Sequence, residues 1–230
     1  PSATRDSPYA WYVAGLLALT YAVAFIDRQV LNLLVDPIKS TLDLTDTRIS
    51  LLQGLSFVFA YVAMGPVFGR LADRGSRRNL LIVGVTLWCA FTVACGFATN
   101  FWVLFIARAG IGAAEACLLP AGWSMMADYF PPEKLPRAIA IYNVGYTGGT
   151  GIALLLGALM IHILTGLPTI EIPLFGVVRD WQLVFILTGL IGVPVAILTA
   201  TVAEPGRRNL VLDAAPAGKQ LGATLREVLA

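Results

Sequence analysis

AWYVAGLLALTYAVAFIDRQVLNL, residues Ala10 to Leu33, runs for 24 residues with one charged pair, Asp27-Arg28, toward its far end. About 20 helical residues at roughly 1.5 Å each cross the ~30 Å hydrocarbon core of a bilayer, so this stretch predicts a membrane-spanning helix. It is longer than the roughly 7–15 residues of a signal-peptide core and reads as a retained span, from about residue 10 to 35. Five further apolar stretches follow at about 50–70, 79–98, 101–127, 137–161 and 181–203. Inside hydrocarbon each backbone amide has to be satisfied within its own segment, which leaves helices. The expected fold class is an all-α membrane protein, a six-transmembrane-helix bundle over 10–204. Residues 1–9 form a tail and 205–230 the start of a linker.

Composition agrees. Of 230 residues, 57% are apolar and 13% charged, against about 25% charged in an ordinary soluble domain. A net charge of +2 with no dense Lys/Arg face argues against nucleic-acid binding. Cys89, Cys95 and Cys117 lie inside apolar runs without ligand spacing, and read as small buried hydrophobes. The single histidine, His162, leaves no His-based metal site or catalytic triad. No metal and no cofactor is expected, and no enzyme chemistry.

Lys and Arg set the expected orientation. Arg5, Arg70, Arg74, Arg77, Arg78, Lys134, Arg137, Arg207, Arg208, Lys219 and Arg226 fall on one side; Lys39, Arg48 and Arg179 fall on the other. By the positive-inside rule both ends of the chain face the cytoplasm, in a bacterial inner membrane or another plasma membrane. Trp11, Trp102 and Trp181 stand near span ends, where indole rings favour the headgroup layer. In the longer connection from His162 to Asp180, TIEIPLFGVV predicts a small hairpin. The terminal ATLREVLA reads as a short amphipathic helix or as linker.

Four ionisable residues do not belong in lipid: Asp27 and Arg28 in the first span, Arg108 and Glu115 in the fourth. Each costs about 2.5–3.5 kcal/mol at the bilayer centre on insertion scales, so all four have to face protein or water. Arg108 and Glu115 are seven apart and share a helix face, which can look toward Asp27 and Arg28 across a central cavity. Asp27 and Arg28 point about 100° apart and each needs a partner elsewhere. Two readings stand: structural ion pairs locking the spans, or a polar site in which a carboxylate exchanges a proton and an arginine holds an anionic group. In the fifth span Gly145 and Gly149 form a GxxxG pair allowing close helix approach, and Asn143, Tyr146 and Thr147 lie on neighbouring turns.

GRLADRGSRR, Gly69 to Arg78, resembles the signature between helices 2 and 3 of the major facilitator superfamily. Within it Gly69 allows tight helix contact, Asp73 can sit at a positive helix N-terminus, and Arg77 and Arg78 can reach Asp128. FIDRQVLNLL, DPIKSTLDLTDTRISLLQG and RAGIGAAEACLLPAGWSMMADYFPPEKLPRAIAIYNVG resemble the Spinster subgroup of that superfamily.

The resemblance implies the N-terminal half of a 12-helix fold, with a second six-helix half as partner. It implies alternating-access transport of an amphipathic lipid or lysolipid of the sphingosine-1-phosphate type, with protons as coupling ion. Asp27 and Glu115 would be the proton-coupling carboxylates. Arg28, Arg108 and Glu115 would form the substrate headgroup site, and Gly69, Asp73, Arg77, Arg78 and Asp128 a conformational gate; Asn143 and Tyr146, whose turns can line the cavity, are further candidate substrate-binding residues. The glycines of NVGYTGGTGIALLLG lack the proline that accompanies them in the superfamily's antiporters. An organic-anion or sugar-phosphate proton symporter is the alternative within transport, and a membrane scaffold or binding module the alternative outside it.

Overall fold

The computed structural model describes residues 7–164, 170–172 and 176–207. Its six candidate membrane spans are Pro8–Leu33, Asp46–Arg74, Arg77–Cys95, Phe101–Tyr129, Leu135–Ile163 and Asp180–Ala200, so the all-α six-span expectation holds. The terminal ATLREVLA lies outside the described residues.

Helix α1 (Pro8–Leu33) begins inside the expected tail. Ser7 caps it by accepting from the Ala10 N–H at 3.2 Å, and Pro8 fits the first turn, where its missing N–H costs nothing. The polar connection that follows is itself helical, as α2 (Val35–Leu42). The boundary at Leu34 has a cause in Pro37, whose ring crowds the carbonyl four residues back, that of Leu33. Asp43, at φ 49°, ends α2 in the left-handed conformation that Asp tolerates.

The second span comprises α3 (Asp46–Ser50), a π-helical turn at Leu51–Leu55 and α4 (Ser56–Arg74). The third is α5 (Arg77–Cys95). The fourth, expected to run unbroken, divides into α6 (Phe101–Glu115) and α7 (Leu118–Tyr129). Pro120 lies four residues after Ala116 and breaks the ladder there, so Glu115 ends a helix in mid-span. The fifth is α8 (Leu135–Leu164) and the sixth α9 (Asp180–Ala200). Between them β1 (Ile170–Ile172) and β2 (Gly176–Val178) pair antiparallel with Ile170 opposite Val178, the hairpin expected from the sequence.

Helix α1 packs along α8, α5 along α9 and α4 along α6. The first and fourth spans are 56% buried over their most apolar windows, the second and fifth only 17% and 22%. The first and fourth therefore form the core, while the second and fifth turn residues such as Phe59, Val62, Val144 and Leu155 outward. The GxxxG pair sets the α1–α8 distance: a Cβ on Gly145 would stand 2.1 Å from the Ala18 carbonyl oxygen, and one on Gly149 2.7 Å from the Ala22 Cα. All three cysteines are buried and free, as expected.

Candidate functional site

The four membrane-embedded charges lie on α1 and α6, and one pair of them, Arg28 and Glu115, is in direct contact. Arg28 donates from Nε at 2.8 Å and from Nη2 at 2.5 Å, both to Glu115 Oε2. Glu115 has no exposed side-chain surface and Arg28 retains 23%. The expectation of a face looking at Asp27 and Arg28 across a hollow is corrected accordingly: the arginine reaches the carboxylate itself. Asp27, turned away from Arg28 by the helical 100°, accepts from Thr92 Oγ1 of α5 at 2.7 Å. Arg108 is the cation whose charge bears most on Asp27.

Several polar atoms of this cluster are buried without a hydrogen-bond partner among the described residues: Asp27 Oδ1, Glu115 Oε1, and Arg108 Nε and Nη1. Two carboxylates and two guanidiniums balance in charge yet keep unused acceptors and donors, a costly state in a dry interior. Aromatic rings supply part of the compensation. The Arg28 guanidinium lies 4.5 Å from the Phe57 ring centroid, 4.8 Å from Phe25 and 5.3 Å from Tyr61. Arg108 lies 5.6 Å from the same Phe57 ring, a geometry in which the ring quadrupole attracts each cation. Phe57 follows the π-helical turn, and its backbone is so close to α6 that a Cβ on Gly112 would stand 2.3 Å from its carbonyl oxygen.

Of the other residues expected to line the site, Tyr146 reaches it through Phe25, ring centroids 4.2 Å apart. Asn143 and Thr147 are exposed on α8, and among the described residues no hydrogen bond joins Asn143 to the charged cluster. Thr92, Phe57 and Tyr61 were not singled out by the sequence reading. A threonine or phenylalanine in an apolar run has no periodic signature, and only the packing of α4 and α5 against α1 and α6 brings them in.

A second network closes the basic end of the bundle. The Arg77 guanidinium, 2% exposed, pairs with Asp128. It also donates at 2.8 Å to Glu204, at 3.1 Å to Ser124 Oγ and at 2.9 Å to the Pro205 carbonyl. Arg78 Nη2 donates to the Ala200 carbonyl. Gly69 packs against nothing within 4 Å, so the tight contact expected there is absent among the described residues. Asp73 is exposed in the last turn of α4, not at a helix N-terminus. The start of α5 is capped instead by Ser76 Oγ, which accepts from the Asn79 N–H, and by Glu204, which accepts from the Arg78 N–H at 2.7 Å.

Glu204, just past the last span, is the member the sequence reading missed; the signal available was a lone acid directly after an apolar run. Burial opposes its charge, but hydrogen bonds from the Arg78 N–H, Arg77 and Ser76 outweigh it and hold the carboxyl below the usual range. A depressed folded pKa gives stability that is present above the unfolded value, about 4.3, and lost as pH falls through the folded one. Glu204→Gln is therefore expected to speed amide hydrogen exchange at residues 203–207 at neutral pH. The difference from wild type should shrink as acid protonates Glu204; equal exchange at neutral pH would refute this role.

Residues 17–229 match the Major Facilitator Superfamily. An MFS-type efflux pump of Mycolicibacterium smegmatis is 30% identical over 216 residues, 94% of this chain and 46% of that protein. A hexuronate transporter of Escherichia coli is 26% identical over 181 residues, 78% of this chain and 38% of that protein. The crystal structure of a bacterial homolog of the human lysosomal transporter Spinster, inward-facing and unoccupied, superposes with a TM-score of 0.79 at 32% identity, covering 95% of this chain and 50% of that one. The chain thus spans about half the length of the relatives it matches.

Proposed function

This chain belongs to the Major Facilitator Superfamily, a family of transporters and not of enzymes, and from that premise we propose that it supplies one six-helix half of a proton-coupled transporter for an amphipathic lipid or lysolipid. The observation that carries the reading is the Arg28–Glu115 pair, buried between first and fourth spans with Asp27 and Arg108 beside it. A phosphate or carboxylate headgroup competes with Glu115 for Arg28, since a guanidinium favours either anion in bidentate geometry. Protonating Glu115 releases Arg28 for that headgroup, and Asp27 is the second carboxylate able to carry a proton. Apolar walls accept the tail. The lipid class rests on the Spinster-like sequence motifs, with which the similarity to the bacterial Spinster homolog agrees.

In this reading the basic end, with the Arg77–Asp128–Glu204 network, is the cytoplasmic gate. The exposed apolar faces of the second and fifth spans, including Gly69, Asp73, Asn143 and Tyr146, meet a second six-helix half and the bilayer. Alternating access then opens the charged cluster to one aqueous side at a time. The second reading, transport of a small organic anion with protons, is favoured by the similarity to the hexuronate transporter.

The test is uptake into proteoliposomes by the full-length protein under an imposed pH gradient, with lysolipids and small anions compared. Lysolipid flux driven by the gradient is expected in wild type. Asp27→Asn should lower it at least tenfold while the protein stays folded. Gradient-driven flux of small anions alone would favour the second reading, and flux of either cargo indifferent to the gradient would refute proton coupling.

A further inference from the structure

We propose that Thr92 is the positioning residue for the Asp27 proton: its hydroxyl donates to the ionised carboxylate and accepts from the protonated one. This rests on the proton-coupled reading above and adds the element that registers the proton. Thr92 is fully buried and Asp27 1% exposed, so no bulk water mediates between them. Thr92 Oγ1 lies 2.7 Å from Asp27 Oδ2 and 3.0 Å from the Trp88 carbonyl oxygen one turn back in α5. Both atoms are acceptors at hydrogen-bond distance, but a threonine hydroxyl has one hydrogen. The two cannot be served at once while Asp27 is ionised.

The conflict resolves by protonation state. With Asp27 charged, the hydroxyl hydrogen points to Oδ2, since the bond to a charged acceptor is the stronger. The Trp88 carbonyl is left with its helical partner. When a proton binds at Oδ2, the new O–H donates to Thr92 Oγ1 and the threonine hydrogen rotates to the Trp88 carbonyl. One proton enters, one hydrogen bond reverses, and every donor keeps an acceptor. Helix α5, which begins at Arg77 of the basic-end network, thereby keeps its bond to α1 with Thr92 now the acceptor, and gains a bond to itself.

Other groups around Asp27 do not provide this exchange. Arg28 on its own helix and Arg108 from α6 are permanent cations. Glu115 from α6 is engaged by Arg28, and Cys89 and Cys95 from α5 are buried free thiols, which carry no charge at neutral pH. No charged group of α8 or α9 is found against it among the described residues.

The experiment compares Thr92→Val, which keeps shape and loses the hydroxyl, with Thr92→Ser, which keeps the hydroxyl, in the full-length protein in proteoliposomes. Thr92→Val removes the stronger bond, that to the ionised form, so the pH of half-maximal flux should rise by about one unit. Thr92→Ser should stay near wild type. Infrared difference spectra on acidification give a readout independent of flux. The carboxylic C=O band that vanishes in Asp27→Asn should move to higher frequency in Thr92→Val, its O–H having lost an acceptor, and hold its place in Thr92→Ser. A Thr92→Val protein whose band and pH profile coincide with wild type overturns the role of Thr92 and leaves the transport reading intact. Wild-type flux indifferent to pH, with no band assignable to Asp27, overturns the proton reading and this inference with it.

Discussion

Arg28→Met is expected to destabilise the full-length protein by about 3 kcal/mol, the low end for breaking a buried ion pair because the arginine keeps 23% exposure. Glu115 would remain with no exposed surface, with Oε1 already unpartnered and Oε2 stripped of its two donors. Adding Glu115→Gln removes the stranded charge, so the double variant should recover most of the loss. Two neutral side chains of similar volume often replace a buried pair at little cost. Chemical or thermal unfolding in detergent reads the stability, and lysolipid uptake reads the function. Stability should return in the double variant and uptake should not. Recovery of both would make the pair structural only, the bland reading left open by the sequence.

Gly145→Val is expected to have the larger effect on folding. Its Cβ alone would stand 2.1 Å from the Ala18 carbonyl oxygen and 2.8 Å from the carbonyl carbon. The obstacle is backbone in the middle of α1, which cannot rotate aside, so α1 and α8 have to separate. Overpacking of a core costs about 1–3 kcal/mol where side chains can adjust and more where they cannot. We therefore expect more than 3 kcal/mol and loss of monodisperse protein on size-exclusion chromatography. Gly148→Ala and Gly151→Ala are the controls, because nothing lies within 4 Å of the Cβ position at either. Each should be neutral or slightly stabilising, since alanine is the better helix former. A Gly145→Val protein as stable as Gly148→Ala would show that α1 and α8 do not approach as described.

These glycines mark how far the sequence can be read. Gly145, Gly148, Gly149 and Gly151 are alike in a string, and the GxxxG spacing correctly picked the pair that meets a neighbouring helix. Spacing did not identify α1 as that neighbour, nor Ala18 and Ala22 as the contact points. At Gly69 the family-like motif suggested a tight contact, and among the described residues a Cβ there would meet nothing within 4 Å. The fourth span shows a similar limit. Its length and hydropathy were plain, yet the break after Glu115 required weighing Pro120 against the tolerance of membrane helices for proline.

Six spans and the embedding of Asp27, Arg28, Arg108 and Glu115 followed from the residues alone. Water-to-hydrocarbon transfer depends on composition and length, and a buried charge is expensive wherever its helix happens to pack. Partner choice was decided only in three dimensions. That Arg28 takes Glu115, that Asp27 takes Thr92, that Phe57 lies near two guanidiniums and that Glu204 returns to Arg77 depend on rotations and crossings of helices far apart in the chain. Hydrophobicity drives a helix into the bilayer without fixing which way it faces; close packing of backbones and the need to satisfy each buried polar atom fix that.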